Sequence, residues 1–437
     1  MKKITTVFLG CTLSLLSVAQ QLSIKQAVSL ALQNRFELQQ ADLQAELASN
    51  NVRKAETAFL PQINAVLDAK YNTQLQTSVI PANAFGGTGS GDRFVQFGTP
   101  YNTSFGIALK ENIIDPLAIG ERKIARQQTA VSILDKEATR IQITEKVMQE
   151  YIKASLANAT CELARLRLEN AITQYNYQKN KVEQKQALET DVKKAELDKQ
   201  IAENQVVNSI RDSVLAIQSL AYECGLPWGA NLSLSQNLEE LLTELDAEEL
   251  PTSPDSRIEW RQENLRKSII QSQIRKISFS YLPGVSLLAN YAVQQFSRNY
   301  NPFEGNYWFP VSYVGFQMNL PIFDALQRER NRSEFKLQNI ISDLRLQQIR
   351  RLVDFELQSL TQQSKQAELN LLQAKANLQF AQDLCQLALE RKNKGILLPS
   401  ELSQNLFTMQ EAKYQCKQAQ YNLLLHHIQL LRAKSAL

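Results

Sequence analysis

The chain has 437 residues, a net charge of +4 and a slightly negative mean hydropathy of −0.30. With 14 glycines and 12 prolines it has few turn formers, which favours long helices over one thick globular core. It has no basic stripe interleaved with aromatic residues, so nucleic acid is not an expected partner. It also has no P-loop, no His-Glu-x-x-His, no Gly-x-Ser-x-Gly and only 2 histidines, so no enzyme, cofactor or metal centre is expected.

Residues 1–19 have the pattern of a secretory signal peptide. Lys2 and Lys3 precede an apolar run, and the small residues that end it suit a signal peptidase, so we expect cleavage after Ala19. Cys11 leaves open the alternative that this cysteine is lipidated instead. We expect the protein to be exported in either case.

After this leader, no segment has the ~18 consecutive apolar residues of a membrane-spanning helix. If the exported protein enters a membrane, we expect it to do so through strands. Four cysteines remain, and their wide spacing indicates buried free thiols rather than a zinc site or a disulfide framework. The adjacent His426 and His427 do not indicate a metal site either.

The chain contains an internal duplication. At an offset of 222 residues, the segment 35–38 aligns with 257–260 and Leu60-Pro61 aligns with Leu282-Pro283. At offsets of 209 and 210, later segments align in the same order, including 188–192 with 398–402. We therefore predict a first repeat at 20–224, a linker at 225–256 and a second repeat at 257–437.

Each repeat is predicted to contain a helix, two strands, a very long helix and a further helix. In the first repeat, the opening helix is followed by strands at 62–77 and 94–112, a long helix at 117–183 and a helix at 190–224. The corresponding elements of the second repeat are a helix at 257–280, strands at 283–295 and 308–322, a long helix at 326–394 and a helix at 400–433. Apolar residues recur every three or four positions along the helices, as in coiled-coil seams. Two shorter helices of ~35 residues match one long helix in length, which favours a tube wall over a globule.

The strands alternate apolar and polar residues, which one side of a soluble sandwich would also do. No second sheet is available to cover the apolar face, and four strands are too few to close a membrane barrel. We therefore expect two, three or four copies to close a barrel together. Its lipid-facing residues are predicted to be Phe105, Ile107, Phe316 and Met318, and Gln317 and Asn319 are predicted to face the lumen.

These segments together resemble the TolC family of outer-membrane channels. The residues that carry the resemblance lie at 22–34, 59–63, 281–283, 320–324, 394–396 and 400–402. The resemblance implies an α+β membrane protein that forms a homotrimer, with a twelve-stranded barrel in the outer membrane and a twelve-helix tunnel in the periplasm. Residues 225–256 would then contribute to an equatorial region around the tunnel.

The resemblance also implies a function and partners. The chain would be the exit channel of a tripartite efflux pump or a type I secretion system, in contact with outer-membrane lipid. Its protein partners would be a periplasmic adaptor and an inner-membrane pump or ABC exporter, with the cargo left open. The alternative is a periplasmic coiled-coil adaptor or structural protein without a barrel.

The helical turns at 185–190 and 395–400 are the expected periplasmic gate. Asp191 and Glu401 occupy equivalent positions after the two turns, and repeated threefold they would form a ring that attracts cations. Gln404 stands where the family often has a second acid, so the ring is not fully specified by the resemblance. The alternative is that these are solvated charges at the helix tips. The remaining gate and docking candidates are Lys392 and Lys394 as ionic partners, and Leu188, Gly395, Ile396 and Leu397 as adaptor contacts.

Overall fold

The computed structural model describes residues 20–81, 91–245, 254–301, 308–393 and 399–435. The predicted signal peptide and Cys11 lie outside these ranges. The chain divides into two compact units. The first, helical unit takes in residues up to Leu43, Ile133–Glu263 and the chain from Arg345, and the second unit takes in Gln44–Ser132 and Asn264–Leu344.

Helices make up most of the described chain. They are α1 (Ile24–Asn34), α2 (Phe36–Glu56), α3 (Pro116–Glu183), α4 (Glu189–Glu223), α5 (Leu238–Glu244), α6 (Ile258–Phe279), α7 (Gln327–Asn393) and α8 (Pro399–Ala433). The two long helices have 68 and 67 residues, and each is roughly 100 Å long at the usual rise per residue. After Pro116 the only helix-breaking residue type in α3 is Gly120, and α7 contains none, so both helices can run without interruption.

The opening helix of the first repeat is broken at Arg35, although its apolar pattern predicts a continuous helix. The helix begins with a capping box, in which the Gln26 backbone N–H donates to Ser23 Oγ at 3.3 Å. Arg35 then has an extended backbone, with φ −67° and ψ 126°, which ends α1 and lets α2 start at Phe36. The break brings the Arg35 side chain against the end of α4, where it makes the ion pairs described below.

The described residues contain the strands β1 (Gln20–Leu22), β2 (Gln62–Tyr71), β3 (Gln76–Pro81), β4 (Asp92–Phe97), β5 (Tyr101–Ile114), β6 (Leu232–Leu234), β7 (Gly284–Ser297) and β8 (Trp308–Asn319). Four of them form an antiparallel sheet in the order β2-β5-β7-β8, wholly within the second unit. The central pair, β5 with β7, joins a strand of the first predicted repeat to one of the second.

The first strand predicted, at 62–77, is divided in the structure. Strand β2 ends at Tyr71 because the chain turns at Asn72, whose side-chain amide donates to the Thr99 carbonyl at 2.9 Å. After the turn, β3 pairs with β4 as a separate two-stranded hairpin. The glycine-rich sequence at 85–92 indicates an exposed loop, and most of it lies outside the described residues. The last strand, predicted to end at 322, ends at Asn319 shortly before Pro321, which cannot donate to a ladder.

The helical unit has one main hydrophobic core. It is formed where α1, α3, α4, α5 and α8 meet, around fully buried residues such as Val147, Tyr151, Leu220 and Leu424. The Tyr151 hydroxyl is buried and donates to the Leu22 carbonyl at 2.7 Å, so this polar group is satisfied. The same unit contains the short parallel pair of β1 with β6, and β6 and α5 come from the predicted linker at 225–256.

The end of α4 requires a glycine. Gly225 has φ +73°, in the left-handed region where an L side chain is strained, and it closes the helix with a bond from its N–H to the Tyr222 carbonyl at 2.9 Å. A Cβ at Gly225 would also lie 2.7 Å from the Asn34 Cβ. This close approach seats the end of α4 against the junction of α1 and α2.

Candidate channel surfaces

One face of the four-stranded sheet is apolar and exposed. Directly paired residues of an antiparallel sheet share a face, and the pairs Phe105 with Val293, Ile107 with Tyr291 and Leu287 with Phe316 fix its register. Met318 lies on the same face two residues after Phe316. The four side chains predicted to contact lipid therefore share one face, where they are 52%, 52%, 76% and 66% exposed in chain order.

The opposite face of the sheet is mixed in character. Gln317 is paired with Ser286 and Asn319 with Gly284, so both residues lie away from Phe316 and Met318. Other members of this face are polar or charged, among them Gln62, Asn64, Asp68, Lys70 and Lys110. Aromatic residues also occur here, including Phe309 and Tyr313. The two faces thus differ as the alternation predicts, with the lumen assignment of Gln317 and Asn319 still a prediction.

The turn between α3 and α4 brings two of the tip residues together. The Leu188 backbone N–H donates to Asp191 Oδ2 at 3.4 Å, so the Asp191 carboxylate caps the start of its own helix. Leu188 itself is 70% exposed. In the single chain, Asp191 therefore has a local structural role and Leu188 presents an apolar side chain to solvent.

The second turn is only partly described, because Lys394, Gly395, Ile396 and Leu397 lie outside the described residues. Glu401 and Gln404 lie in the first turns of α8 and are exposed. The Lys392 ammonium lies 5.9 Å from the ring centre of Tyr177 in α3. In the described part of one chain, Lys392 makes no ion pair with Asp191 or Glu401, so that pairing stays a prediction for the assembled protein.

A buried ion-pair cluster lies where α1, α2, α3 and α4 meet. Arg35 donates through Nη1 to Glu223 at 2.7 Å, and through Nε and Nη2 to the two oxygens of Glu37 at 2.9 and 2.6 Å. Lys146 from α3 contacts the other Glu223 oxygen at 2.8 Å. The Arg35 and Glu223 side chains are only 10% and 6% exposed, so the ion pair between these two residues is shielded from water.

A second cluster occupies the matching place in the second repeat. Arg257 donates to Glu259 in the same two-pronged way at 3.0 and 3.2 Å, to Glu356 of α7 at 3.1 Å and to the Ala433 carbonyl at the end of α8 at 3.2 Å. The sequence comparison aligned Arg35 with Arg257 as markers of the duplication, but it did not predict either cluster. The repeated Arg-x-Glu pattern could have indicated the pairs of Arg35 with Glu37 and of Arg257 with Glu259. No pattern in the sequence indicates the distant partners Glu223 and Glu356.

The buried thiols and histidines form no site with the described residues around them. Cys161, Cys224, Cys385 and Cys416 are all buried and free, and burial raises the pKa of Cys224 to about 11. His427 is buried, with Nε2 4.0 Å from Glu368 Oε1. Within the described ranges no group of three His, Cys, Asp or Glu side chains is placed to hold a metal ion. None of the described helices is long and apolar enough to cross a membrane.

Comparison with known proteins adds a family match and a shared fold. A family model described as "Outer membrane efflux protein" matches residues 27–221. A search of curated protein sequences finds no match.

Three solved structures similar to the chain are outer-membrane or transmembrane channels. CusC aligns over 95% of this chain and 92% of its own, with 16% identity and a TM-score of 0.75. Campylobacter jejuni CmeC aligns over 94% and 85%, with 15% identity and a TM-score of 0.73. The open state of Neisseria gonorrhoeae MtrE aligns over 94% and 88%, with 15% identity and a TM-score of 0.73. The predicted resemblance is thereby confirmed: the family model matches residues 27–221, and the chain shares the fold of CusC, CmeC and MtrE along nearly its whole length.

Proposed function

We propose that this protein is the outer-membrane exit channel of a tripartite efflux pump or a type I secretion system, and that it conducts its cargo passively. The observation that carries the proposal is the fold shared with CusC, CmeC and MtrE over at least 94% of the chain, together with the efflux-protein match. The exposed apolar face of the sheet supports it further, because such a face in water would be costly.

The open edges of the sheet favour assembly of several copies. Strands β2 and β8 are the outer strands of the four-stranded sheet. In a membrane, each unpaired backbone group along these edges would cost several kcal/mol, so the edges must pair with something. Pairing of β2 in one copy with β8 in the next would satisfy both edges. Three copies would then give the twelve strands that the family resemblance implies.

The duplication indicates how the helices of neighbouring copies would meet. Within one chain, the start of α6 packs on α3, with Arg261 2.8 Å from Glu137 and Gln262 2.7 Å from Asp135, and Ile258 is only 9% exposed. The equivalent of Ile258 in the first repeat is Phe36, which is 81% exposed. We infer that Phe36 packs on α7 of a neighbouring copy, just as Ile258 packs on α3.

The exposed apolar side chains of α7 fit this inference. Ile258 lies beside Ile141 of α3, which corresponds at the offset of 209 to Arg350 of α7. Leu352 and Phe355 lie close to Arg350 along α7 and are 61% and 70% exposed. A test is to combine Phe36→Cys with Leu352→Cys and to oxidise the purified protein. We expect covalent dimers and trimers from the double variant and monomers from either single variant. A double variant that yields no crosslinked species, although it is oligomeric by mass, would contradict this helix pairing.

The proposed partners are those that the family resemblance implies, a periplasmic adaptor and an inner-membrane pump or ABC exporter. The surfaces offered to them are the turns at 185–190 and 395–400. The exposed Leu188 is the described part of the apolar contact surface that we propose for the adaptor. The gate candidates Asp191 and Glu401 lie beside the same turns.

The decisive experiment is fractionation followed by conductance. The protein should fractionate with the outer membrane, have the mass of a trimer in detergent and produce discrete current steps in planar bilayers. A monodisperse, water-soluble monomer released by osmotic shock and without conductance would instead favour the adaptor or structural protein without a barrel.

A further inference from the structure

A cavity with a cationic rim lies between α3 and α6 in the second unit. Its volume is about 370 Å³. Three cationic side chains of the rim, Arg122, Lys123 and Arg126, come from α3, and the fourth, Arg275, comes from α6.

The floor of the cavity is apolar. Ile119 and Phe279 line it and are 46% and 37% exposed, and the aliphatic stems of the arginines add further apolar surface. Gly120 allows the two helices to approach closely here, since a Cβ at this position would lie 2.8 Å from Lys276 Cγ.

Positive charge is in excess around the cavity. Arg126 is paired with Glu56 at 3.1 Å and Lys276 is paired with Glu121. Arg122 lies with its guanidinium 5.9 Å from the ring centre of Phe59. Among the described residues, no carboxylate lies within ion-pair distance of Arg122, Lys123 or Arg275. Three cations are therefore left for an external anion.

The position of the cavity along the chain is defined by the sheet. Helix α3 begins at Pro116, two residues after β5 ends, and α6 ends at Phe279, five residues before β7 begins. Lys123 is therefore only about 10 Å along the helix from the end of the sheet. If the sheet spans the outer membrane, which rests on the proposed function, the cationic rim lies at the level of the lipid headgroups on the periplasmic side.

We propose that this cavity binds the phosphate group of an anionic amphiphile. Arginine side chains match phosphate oxygens in a two-pronged geometry, and lysine adds a point charge beside them. The apolar floor would accept the adjoining acyl segment, which a free phosphate ion lacks. A lipid phosphodiester and inorganic phosphate share the recognised group, and the two sources can be separated by experiment.

The test uses the full-length protein in neutral mixed micelles. Binding of phosphatidylglycerol, phosphatidylcholine and inorganic phosphate is measured for the wild type and for Lys123→Gln combined with Arg275→Gln. The control is Lys193→Gln with Lys194→Gln in α4, which removes the same charge from two exposed lysines far along the chain. We expect phosphatidylglycerol to bind the rim variant roughly tenfold more weakly than the wild type and the control, and phosphatidylcholine to bind all three weakly.

Each outcome bears on the proposal. Weaker binding of inorganic phosphate by the rim variant, with no preference for the lipid, would support a phosphate site whose ligand is the free ion. Equal binding of phosphatidylglycerol and of phosphate by wild type and rim variant would overturn the site. Bilayer conductance of the same samples tests the proposed function separately, because a conducting wild type without the binding difference refutes the cavity alone.

Discussion

Arg35 and Arg257 each join two helix ends of the helical unit. Each has an almost fully buried guanidinium, and each joins the start of one helix to the end of another through charged hydrogen bonds. A buried charge is tolerated only while its partners remain, because the protein interior solvates it poorly. Loss of one partner is therefore expected to cost far more than loss of a surface ion pair.

The first prediction concerns Glu223, which accepts from both Arg35 and Lys146. Glu223→Ala should lower the free energy of unfolding by about 3–5 kcal/mol, because it leaves Arg35 buried with only Glu37 as a partner. The measurement is thermal or denaturant unfolding of the detergent-solubilised protein, followed by circular dichroism. Asp212→Ala is the matched control, since Asp212 pairs with Arg211 on the surface at 60–63% exposure and should change little. Equal losses from the two substitutions would contradict the structural role of the cluster.

A second prediction at this scale concerns pH. Burial raises the pKa of Glu259, but the hydrogen bonds and charge of Arg257 outweigh it, so the net pKa lies below the ordinary value of 4.5. A lowered pKa in the folded state stabilises the protein above the unfolded pKa, and that stabilisation is lost as the pH falls through the folded value. The wild type should therefore lose its stability advantage over Glu259→Gln below about pH 4.5.

Melting temperatures of both proteins between neutral and acid pH would test this. The control is Glu196→Gln, an exposed position in α4. Its difference from the wild type should not depend on pH in the same window. A Glu259→Gln difference that stayed constant down to acid pH would rule out the linkage.

At the scale of elements, apolar residues recur at every second position in the strands of the sheet and at every third or fourth position in the helices. The large apolar side chains Phe105, Ile107, Phe316 and Met318 share one face of the four-stranded sheet. The opposite face combines polar residues with aromatic ones such as Phe309 and Tyr313. A substitution one residue apart in β8 therefore reaches an entirely different environment.

The third prediction uses this contrast. Phe316→Arg should block assembly in the outer membrane, because a charge on a lipid-facing position near the bilayer centre costs ~2–4 kcal/mol per copy. Gln317→Arg, which adds the same residue to the other face, should assemble and change only the conductance. The amount of trimer in outer-membrane fractions and the single-channel current measure the two effects. Equal tolerance of both substitutions would mean that the faces are reversed or that no barrel forms.

At the scale of the whole molecule, the proposed channel must be kept closed at rest. The proposed gate is at the turns at 185–190 and 395–400, where the helices reverse. Surface ion pairs contribute only ~0–1 kcal/mol, so a few charges can hold a gate only when they are repeated and partly shielded in an assembly. The local cap that Asp191 gives to α4 also means that its loss would loosen the turn itself.

The fourth prediction is that Asp191→Ala with Glu401→Ala raises the resting conductance and weakens cation selectivity. A ring of carboxylates at a constriction attracts cations, and its removal leaves a wider and less selective opening. Asp191→Asn keeps much of the capping geometry without the charge and serves as the control for a loosened turn. Single-channel recordings in asymmetric salt give both quantities. Unchanged conductance and selectivity in the double variant would place the gate elsewhere in the tunnel.

The sequence alone determined the α+β class, because the change of hydrophobic period at Pro61 and Pro283 separates helix from strand locally. It also placed Phe105 with Ile107, and Phe316 with Met318, on one face of their own strands, since alternation within a strand needs no knowledge of the partner strand. The length of the long helices followed from the scarcity of glycine and proline. All of these properties depend on neighbours within a few positions along the chain.

Only the tertiary structure decided the features that depend on distant partners. The pairing of β5 with β7 joins residues about 190 positions apart, and periodicity gives faces but no partners. The break at Arg35 is stabilised by Glu223, and the cavity beside Lys123 exists because α6 brings Arg275 next to α3. A local pattern cannot predict such contacts, because the energy of a buried or clustered charge depends on what the fold places around it.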